Sequence, residues 1–366
     1  MKRIRYVLLA LLALVPAAVA RPAPIARAGK HIDHVRLQLK WVTQAQFAGY
    51  YAAQALGYYD AAGLDVDILP GSADTAPEPV VASDQAEFGV DWFSSLLASR
   101  DQGLNLVNIA QLFQRSGTTQ IAWKSSGITS FDQLRGKTVS VWCCGNQYEL
   151  YAALRQAGID PTDPSQIAIV DQPFDMGLFL NHQVDAAAAE TYNELAQVLE
   201  SVNPATGRLY TLNDLNVLSM EDNGTSMLQD GVFVDGDWIA DPANQQVAVR
   251  FLRASEQGWI YCRDHEDACV NMVLTNAPIL GVGHQRWMLN EVNALIWPSP
   301  GGIGIMDASA AARTAGLTPS DGVAGSSSLD GAYRTDLAQQ ALVGLTGDDQ
   351  GLAWQKAVVP VTSGGE

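Results

Sequence analysis

Basic residues are scarce in this chain. It has 22 Lys and Arg against 39 Asp and Glu, which gives a formal net charge of −17 at pH 7 among 366 residues. Because such a chain offers no basic face for phosphate backbones, we expect no nucleic-acid partner. Acidity of this degree indicates solubility more than it indicates any particular ligand.

Motifs of several enzyme classes are also missing. The sequence has no Gly-x-Ser-x-Gly elbow of a serine hydrolase. The loop after Trp142 lacks the lysine of a P-loop and the three glycines of a dinucleotide site. No two histidines have metal-ligand spacing on one predicted helix. The histidines are His31, His34, His182, His265 and His284. We therefore expect no metal, no cofactor and no catalytic residue.

Long apolar runs are confined to the N-terminus. Residues 1–20 combine a basic start at Lys2–Arg5, an apolar run at Tyr6–Val19 and the small residues Ala18–Ala20, as signal peptides do. The run is short for a membrane anchor, which needs about 20 apolar residues. No cysteine near Ala20 can accept a lipid. The expected mature protein is therefore free in a periplasm.

Hydrophobic periodicity predicts an α/β protein with two lobes. A strand, helix, strand order occurs over residues 35–69 and again over residues 137–172. Strands that alternate with helices form mostly parallel sheets with covered faces. The predicted strands are Val35–Trp41, Leu64–Leu69, Glu87–Asp91, Lys137–Trp142, Ile167–Gln172 and Asp185–Glu190. The predicted helices are Gln46–Leu56, Val80–Asp84, Tyr148–Ala157, Met176–Asn181, Val247–Trp259, Val270–Leu274, Trp287–Leu295 and Tyr333–Leu345.

These elements give a predicted division of the chain. A leader follows the signal peptide, and the C-terminal helices are expected to complete the first lobe before a frayed tail. The predicted segments are the signal peptide 1–20, the leader 21–34, the first part of lobe 1 at 35–120, lobe 2 at 121–228, the return to lobe 1 at 229–357 and the tail 358–366.

Four predicted strand ends carry aromatic, amide and acidic side chains. Ligands of parallel sheets bind beyond the carboxyl ends of the strands, where helix N-termini present free N–H groups. Core packing or helix capping explains any one of these residues equally well, but their occurrence at all four ends favours a ligand site. The candidate ligand-binding residues are Trp41, Gln44, Gln46, Phe47, Asp91, Trp92, Ser94, Trp142, Gly145, Asn146, Gln147, Tyr148, Glu190 and Tyr192.

The four cysteines form two groups. Cys262 and Cys269 bracket a short loop, and in an oxidising compartment this spacing predicts a disulfide. For the adjacent Cys143 and Cys144 the sequence leaves two interpretations, which are two free buried thiols or a vicinal disulfide on the wall of the site.

Several segments together resemble the sulfonate-binding and thiamine-pyrimidine-synthase-like family. They are Leu39–Trp41, Gly49–Ala53, Gly57–Val66, Val81–Val90 and Leu134–Val139. The resemblance covers residues 35 to 200. It implies the type II periplasmic-binding-protein fold, with two lobes joined by a hinge. It also implies a receptor for sulfonates, formylated aminopyrimidines or riboflavin.

The family also contains a fungal branch of enzymes that make the thiamine pyrimidine with a lysine-bound pyridoxal phosphate and iron. Those synthases carry a lysine, and a histidine four residues on, where this sequence has Asp91 and Ser95. The pyrimidine-binding pattern of the first loop has an Asn and a His where this chain has Lys40 and Phe47. More aromatic surface in the site suits a larger flat ligand such as a flavin.

The resemblance therefore predicts the substrate-binding subunit of an ABC importer, which closes its lobes on a small aromatic or heterocyclic nutrient. Its expected partners are that ligand and a permease in the inner membrane, and it is expected to be a monomer. A thiamine-pyrimidine synthase on the same fold is the alternative. A role as receptor for a signalling partner also stays open.

The signal peptide yields the first testable prediction. We expect export and cleavage after Ala20, so that the mature chain starts at Arg21, because a basic, an apolar and a small-residue segment follow in that order. N-terminal sequencing of the exported protein checks this. A mature chain that begins at Met1 contradicts the prediction.

Overall fold

The computed structural model describes residues 32–72, 74–143, 145–319 and 326–366. The expected signal peptide and nearly all of the leader lie outside the described residues. The described strands form two five-stranded sheets and one two-stranded ribbon. The strands are β1 Asp33–Gln38, β2 Leu64–Leu69, β3 Phe88–Trp92, β4 Leu106–Gln111, β5 Thr118–Trp123, β6 Thr138–Val141, β7 Ala168–Asp171, β8 Ala186–Glu190, β9 Val202–Asn203, β10 Arg208–Leu209, β11 Leu215–Ser219 and β12 Asp230–Asp235.

The two sheets have matching topologies. Strand order is β2-β1-β3-β12-β4 in the first sheet and β11-β5-β8-β6-β7 in the second. The chain passes to the second sheet between β4 and β5 and returns between β11 and β12. Each crossover delivers one strand, β5 or β12, that runs antiparallel to both of its neighbours. The remaining strands of each sheet are parallel, which confirms the predicted two-lobed α/β fold.

Helices cover both sheets. They are α1 Ala48–Ala55, α2 Tyr58–Ala62, α3 Pro77–Ala82, α4 Phe93–Asp101, α5 Tyr148–Gln156, α6 Gly177–Leu180, α7 Glu194–Leu199, α8 Met220–Asn223, α9 Gly236–Ala240, α10 Pro242–Asp264, α11 Glu266–Asn276, α12 Val282–Ile296, α13 Ala308–Leu317 and α14 Asp336–Leu342. No described helix has the length and apolarity needed to cross a bilayer.

The longest helix, α10, packs on lobe 1. It starts at Pro242 because the preceding Asp241 side chain accepts the Ala243 N–H at 2.8 Å. Close contact with α1 requires two glycines. A Cβ on Gly49 would lie 2.2 Å from the Trp259 ring, and a Cβ on Gly258 would lie 2.1 Å from the Gly49 carbonyl oxygen. Both helices therefore pack nearly backbone to backbone.

The last residues of the chain are held against the protein. The Gly364 N–H donates to the Glu200 carbonyl oxygen at 3.1 Å, and Gly365 is buried. Val361 packs against the apolar cluster of lobe 2. Within the expected tail, these contacts involve Val361, Gly364 and Gly365, whereas Val358 is 97% exposed.

The disulfide predicted between Cys262 and Cys269 is confirmed and joins α10 to α11. Cys143 is also disulfide-bonded, so the free-thiol interpretation is wrong for Cys143. Cys144 lies outside the described residues.

We expect the double substitution Cys262→Ser with Cys269→Ser to lower the free energy of unfolding by about 2 to 3 kcal/mol, because the bond closes a short loop in the unfolded chain. Denaturant unfolding of the mature protein measures the change. Peptide mapping in which both thiols are alkylated without reductant would show that no bond forms.

Candidate functional site

A cavity of about 450 Å³ lies between the lobes, beyond the carboxyl ends of strands from both sheets. Strands β1, β2 and β3 lead to its walls in lobe 1, and β6, β7 and β8 do so in lobe 2. The lining residues are Lys40, Trp41, Gln44, Gln46, Ser72, Asp74, Thr75, Ala76, Pro77, Glu78, Asp91, Trp92, Trp142, Cys143, Asn146, Asp171, Gln172, Phe174, Glu190, Tyr192, Asn193 and Glu194.

Most of the candidate residues from the sequence meet at this cavity. Trp41, Gln44, Gln46, Asp91, Trp92, Trp142, Asn146, Glu190 and Tyr192 line it, whereas Phe47, Ser94, Gly145, Gln147 and Tyr148 do not. The candidates from the sequence include six aromatic residues, and four of them line the cavity. Phe174, which was not a candidate, adds a fifth aromatic ring.

Two of the residues outside the lining belong to lobe 1. Phe47 is fully buried in the lobe 1 core, because the 3-10 turn Ala45–Phe47 directs Gln46 to the cavity and the following ring inward. Ser94 lies in the first turn of α4 and is 1% exposed. Helical spacing rotates it away from Asp91 and Trp92, which end β3.

The other three belong to the loop that starts α5. Gly145 packs against lobe 1, since a Cβ there would lie 2.4 Å from the Ser95 hydroxyl oxygen. The Gln147 side chain accepts the Gly145 N–H at 2.9 Å and so closes its own loop. Tyr148 is half-buried as the first residue of α5. These residues shape a contact between the lobes rather than the cavity wall.

Sequence reasoning missed two strand ends. The segment after β2 contributes Ser72 and residues 74–78, and the end of β7 with the residues after it contributes Asp171, Gln172 and Phe174. Both strands were predicted and both are parallel, so the rule that located the other ends applies to them too. Pro77 at the start of α3 was an additional signal of a strand-to-helix junction.

Lys40 was also missed, and it is the only cation among the described residues that line the cavity. Its ammonium lies 2.5 Å from the Asp91 carboxylate and 4.8 Å from the centroid of the Trp92 ring. Burial alone would lower the pKa of Lys40, but the charge and hydrogen bond of Asp91 outweigh burial and raise it. Lys40 therefore remains an ammonium group held by Asp91.

Two glutamines of the first loop form a chain of hydrogen bonds. The Gln44 amide donates to Gln46 Oε1 at 2.7 Å, and the Gln46 amide donates to Asp230 Oδ2 at 2.9 Å. Burial raises the pKa of Asp230 to about 7. The chain fixes both amides at the cavity wall and links them to the first residue of β12.

Glu190 connects the cavity to the crossovers. Its carboxyl oxygens accept hydrogen bonds from Thr118 Oγ1 at 2.9 Å and from the Gln229 amide at 3.1 Å. Burial, followed by the charges of Glu194 and Glu149, raises the pKa of Glu190 well above its ordinary value. Burial also raises the pKa of Glu194 to about 7. Burial therefore favours the neutral form of both carboxyl groups.

Glu149 joins the two crossover segments directly. It accepts the Ser116 hydroxyl at 2.7 Å on one segment and the Met227 N–H at 2.7 Å on the other. Burial raises the pKa of Glu149 to about 8. A buried carboxyl group, uncharged at pH 7, therefore lies at the hinge.

The mouth of the cavity is bridged by aromatic rings. Trp41 of lobe 1 and Phe174 of lobe 2 meet edge to face, with ring centroids 4.8 Å apart. Phe174 is 54% exposed, so this contact lies at the protein surface. The lobes thus touch across the entrance as well as at the hinge.

Six acidic residues, five aromatic residues and one lysine are among the described residues that line the cavity. The acids are Asp74, Glu78, Asp91, Asp171, Glu190 and Glu194. Such a lining can stack a flat ring and exchange hydrogen bonds with its polar edge. It disfavours an anion, because Lys40 is already paired. Among the described residues, no group of three His, Cys, Asp or Glu side chains is placed to hold a metal ion.

Comparison with known proteins gives consistent matches. The family model described as NMT1/THI5 like matches residues 44–269. The riboflavin-binding protein RibY of Chloroflexus aurantiacus is 28% identical over 291 residues, which are 75% of this chain and 76% of RibY.

Two further matches are an enzyme and a solved structure. A 4-amino-5-hydroxymethyl-2-methylpyrimidine phosphate synthase of Legionella pneumophila is 30% identical over 137 residues, which are 37% of this chain and 43% of the synthase. The periplasmic aliphatic sulphonate binding protein SsuA from Escherichia coli superposes with a TM-score of 0.56 at 16% identity, covering 78% of this chain and 85% of SsuA. The likeness to SsuA concerns the fold.

The buried acids predict an unusual dependence of stability on pH. Glu149, Asp230 and Glu194 have raised pKa values of about 8, 7 and 7 in the folded protein. In an unfolded chain such carboxyl groups have pKa values near 4. Their contribution to stability is therefore fully present below about pH 4 and is lost as the pH rises through the raised pKa values of the folded protein. We expect the free energy of unfolding of the ligand-free protein to fall between about pH 5 and pH 8.

Urea unfolding at several pH values tests this. In Glu149→Gln the slope should be shallower by about 1.4 kcal/mol per pH unit, the contribution of one proton. Asp132→Asn, a change at an exposed carboxylate, should keep the wild-type slope. An unchanged slope in Glu149→Gln would contradict the assignment of a buried, protonated Glu149.

Proposed function

Because the chain belongs to the NMT1/THI5-like family, we propose that it is the substrate-binding subunit of an ABC importer. Its proposed ligand is a flat nitrogen heterocycle without an anionic group, in the class of flavins or thiamine-pyrimidine precursors. The observation that carries this proposal is the lining of the cavity, which combines aromatic rings with six acids and a single, already paired lysine.

The aromatic side chains support a planar ligand. Trp41 and Trp92 come from lobe 1, whereas Trp142 and Tyr192 come from lobe 2. A ring held between them touches both lobes, and offset stacking contributes about 0.5 to 1.5 kcal/mol per aromatic pair beyond the buried area. Since a ligand stabilises the closed form only by contacts that the open form lacks, such stacking favours closure.

The charges support a ligand that is neutral or cationic. A sulfonate or phosphate needs a cation or several free N–H donors to replace its hydration. Lys40 is engaged by Asp91, and the Glu78, Glu190 and Glu194 carboxyl groups add acceptors rather than cations. This argument favours the riboflavin-binding relative over the sulfonate-binding fold neighbour as a guide to ligand chemistry.

The same residues support binding rather than catalysis. A Schiff base requires a neutral amine. Asp91 has no amine. Burial alone would lower the pKa of Lys40, but the charge of Asp91 outweighs burial and raises it, so the Lys40 amine stays protonated. The similarity to the Legionella synthase extends over 37% of this chain. A pyrimidine synthase therefore stays the second candidate, with no residue of the cleft in its favour.

The proposed setting follows from the family and from the sequence. The protein is exported, works free in the periplasm as a monomer and delivers its ligand to a permease in the inner membrane. Closure of the lobes over the ligand presents a surface made from both lobes, and a permease can use that surface to distinguish the loaded form.

Ligand titration followed by tryptophan fluorescence tests the proposal. We expect riboflavin or an aminopyrimidine to bind, and alkanesulfonates and flavin mononucleotide to bind at least about 10-fold more weakly, because the cavity offers no free cation. Trp92→Ala and Trp142→Ala should each weaken binding by about 3-fold to 10-fold through lost stacking.

The matched control is Trp354→Ala, which removes a partly buried tryptophan of lobe 1 outside the cavity lining. It should leave affinity within about twofold, less than the loss of one aromatic pair. Tighter binding of a sulfonate than of every heterocycle would refute the proposed ligand class. Equal affinities in all three variants would show that the ligand binds elsewhere.

A further inference from the structure

Glu78 is the buried acid of the cavity that the fold itself leaves unsatisfied. It is the second residue of α3, it lines the cavity, and it is 2% exposed. Its Oε1 has no hydrogen-bond partner among the described residues. A buried polar atom left without a partner costs about 1 to 3 kcal/mol, so the unpartnered Oε1 at the cavity wall points to a partner supplied by the ligand.

Two donors at the cavity wall are used by Asp91 rather than by Glu78. The Lys40 ammonium and the Trp92 backbone N–H both donate to Asp91 Oδ1, at 2.5 and 2.6 Å. Glu190, a buried acid of lobe 2, differs from Glu78 because Thr118 and Gln229 donate to its two oxygens.

The environment also determines which form of Glu78 meets a ligand. Burial, the negative charge of Asp91 and a hydrogen bond between the two carboxyl groups raise the pKa of Glu78 well above its ordinary value, and Lys40 offsets this only in part. The proton of Glu78 is shared with Asp91, so the unpartnered Oε1 is available as an acceptor. An acceptor at this place matches a ring edge that presents an N–H.

We propose that Glu78 recognises the polar edge of the heterocycle by accepting a hydrogen bond from a ring or exocyclic N–H at Oε1, and so selects rings whose edge carries an N–H donor. This inference rests on the proposed function and adds its specificity-determining residue. Anions and rings without an N–H donor leave Glu78 unsatisfied, and the site discriminates against them for that reason.

The test compares Glu78 variants and edge-blocked ligands. The probes are riboflavin and its N3-methyl derivative, which lacks the imide N–H. A second pair is 4-amino-5-hydroxymethyl-2-methylpyrimidine and its 4-dimethylamino derivative. Glu78→Gln keeps an acceptor oxygen and should bind the parent ring within about 3-fold of wild type, whereas Glu78→Ala should bind it about 10-fold or more weakly.

Methylation of the ligand edge is the second change, and it is combined with each Glu78 variant. It should weaken binding to the wild type and to Glu78→Gln by about 10-fold or more, and should have little effect in Glu78→Ala, where the edge has already lost its partner. Glu78→Met, similar in length but without donor or acceptor, replaces the alanine variant if thermal unfolding shows that Glu78→Ala does not fold. Glu256→Gln is the matched control, since Glu256 is equally buried with unpartnered oxygens but lies outside the cavity lining.

The outcomes separate this inference from the proposed function. If neither parent ring binds the wild type, the proposed ligand class fails and the inference fails with it. If a parent ring binds, and either Glu78→Ala retains wild-type affinity or the methyl penalty persists in that variant, the role of Glu78 is overturned while the proposed function stands.

Discussion

The geometry of this protein depends on hydrogen bonds between its two crossover segments. Gln229 accepts the Gly117 N–H at 2.8 Å and donates to both Thr118 and Glu190, and Glu149 binds Ser116 and Met227. These side chains are buried, so the network is worth more than the same bonds at a surface, and a broken member costs more. Because Glu190 is a member, the hinge and the cavity wall are one connected structure.

Several buried carboxyl groups at the cleft avoid an unpaired negative charge mainly by binding a proton. A buried carboxylate requires a cation, strong donors or a proton, since a bare buried charge is very costly. Asp91 has Lys40, whereas burial raises the pKa of Asp230 and Glu194 to about 7 and keeps both near half protonated at neutral pH. An acidic cavity can therefore exist in a compact protein.

Local sequence pattern located most of the elements. Strand β2 was predicted with the bounds that the structure has, and the predicted helix at Tyr148–Ala157 differs from α5 by one residue. The family inferred from segments such as Gly57–Val66 is confirmed by the match over residues 44–269. The pattern predicted neither β5 nor β12, the strands that run antiparallel to both of their neighbours, and their pairing depends on partners far along the chain.

Single residues of the candidate site also divide into those that the sequence predicted and those that only the tertiary structure placed. Strand ends were predictable because the rule for parallel sheets needs only element order, and Trp92 and Glu190 were found in this way. Which side chain of a strand end turns inward was not predictable for Phe47 or Gly145, since that depends on the opposing surface.

The sequence by itself determined the α/β class, the repeated unit, the family and the Cys262–Cys269 pairing, because periodicity, composition and short spacing are local properties. Only the tertiary structure decided that Lys40 is neutralised by Asp91 and that one carboxyl oxygen of Glu78 has no partner among the described residues. Both outcomes depend on segments of lobe 1 that are separated along the chain and meet at the cavity wall. Burial there raises the pKa of Glu78, and no local pattern records burial.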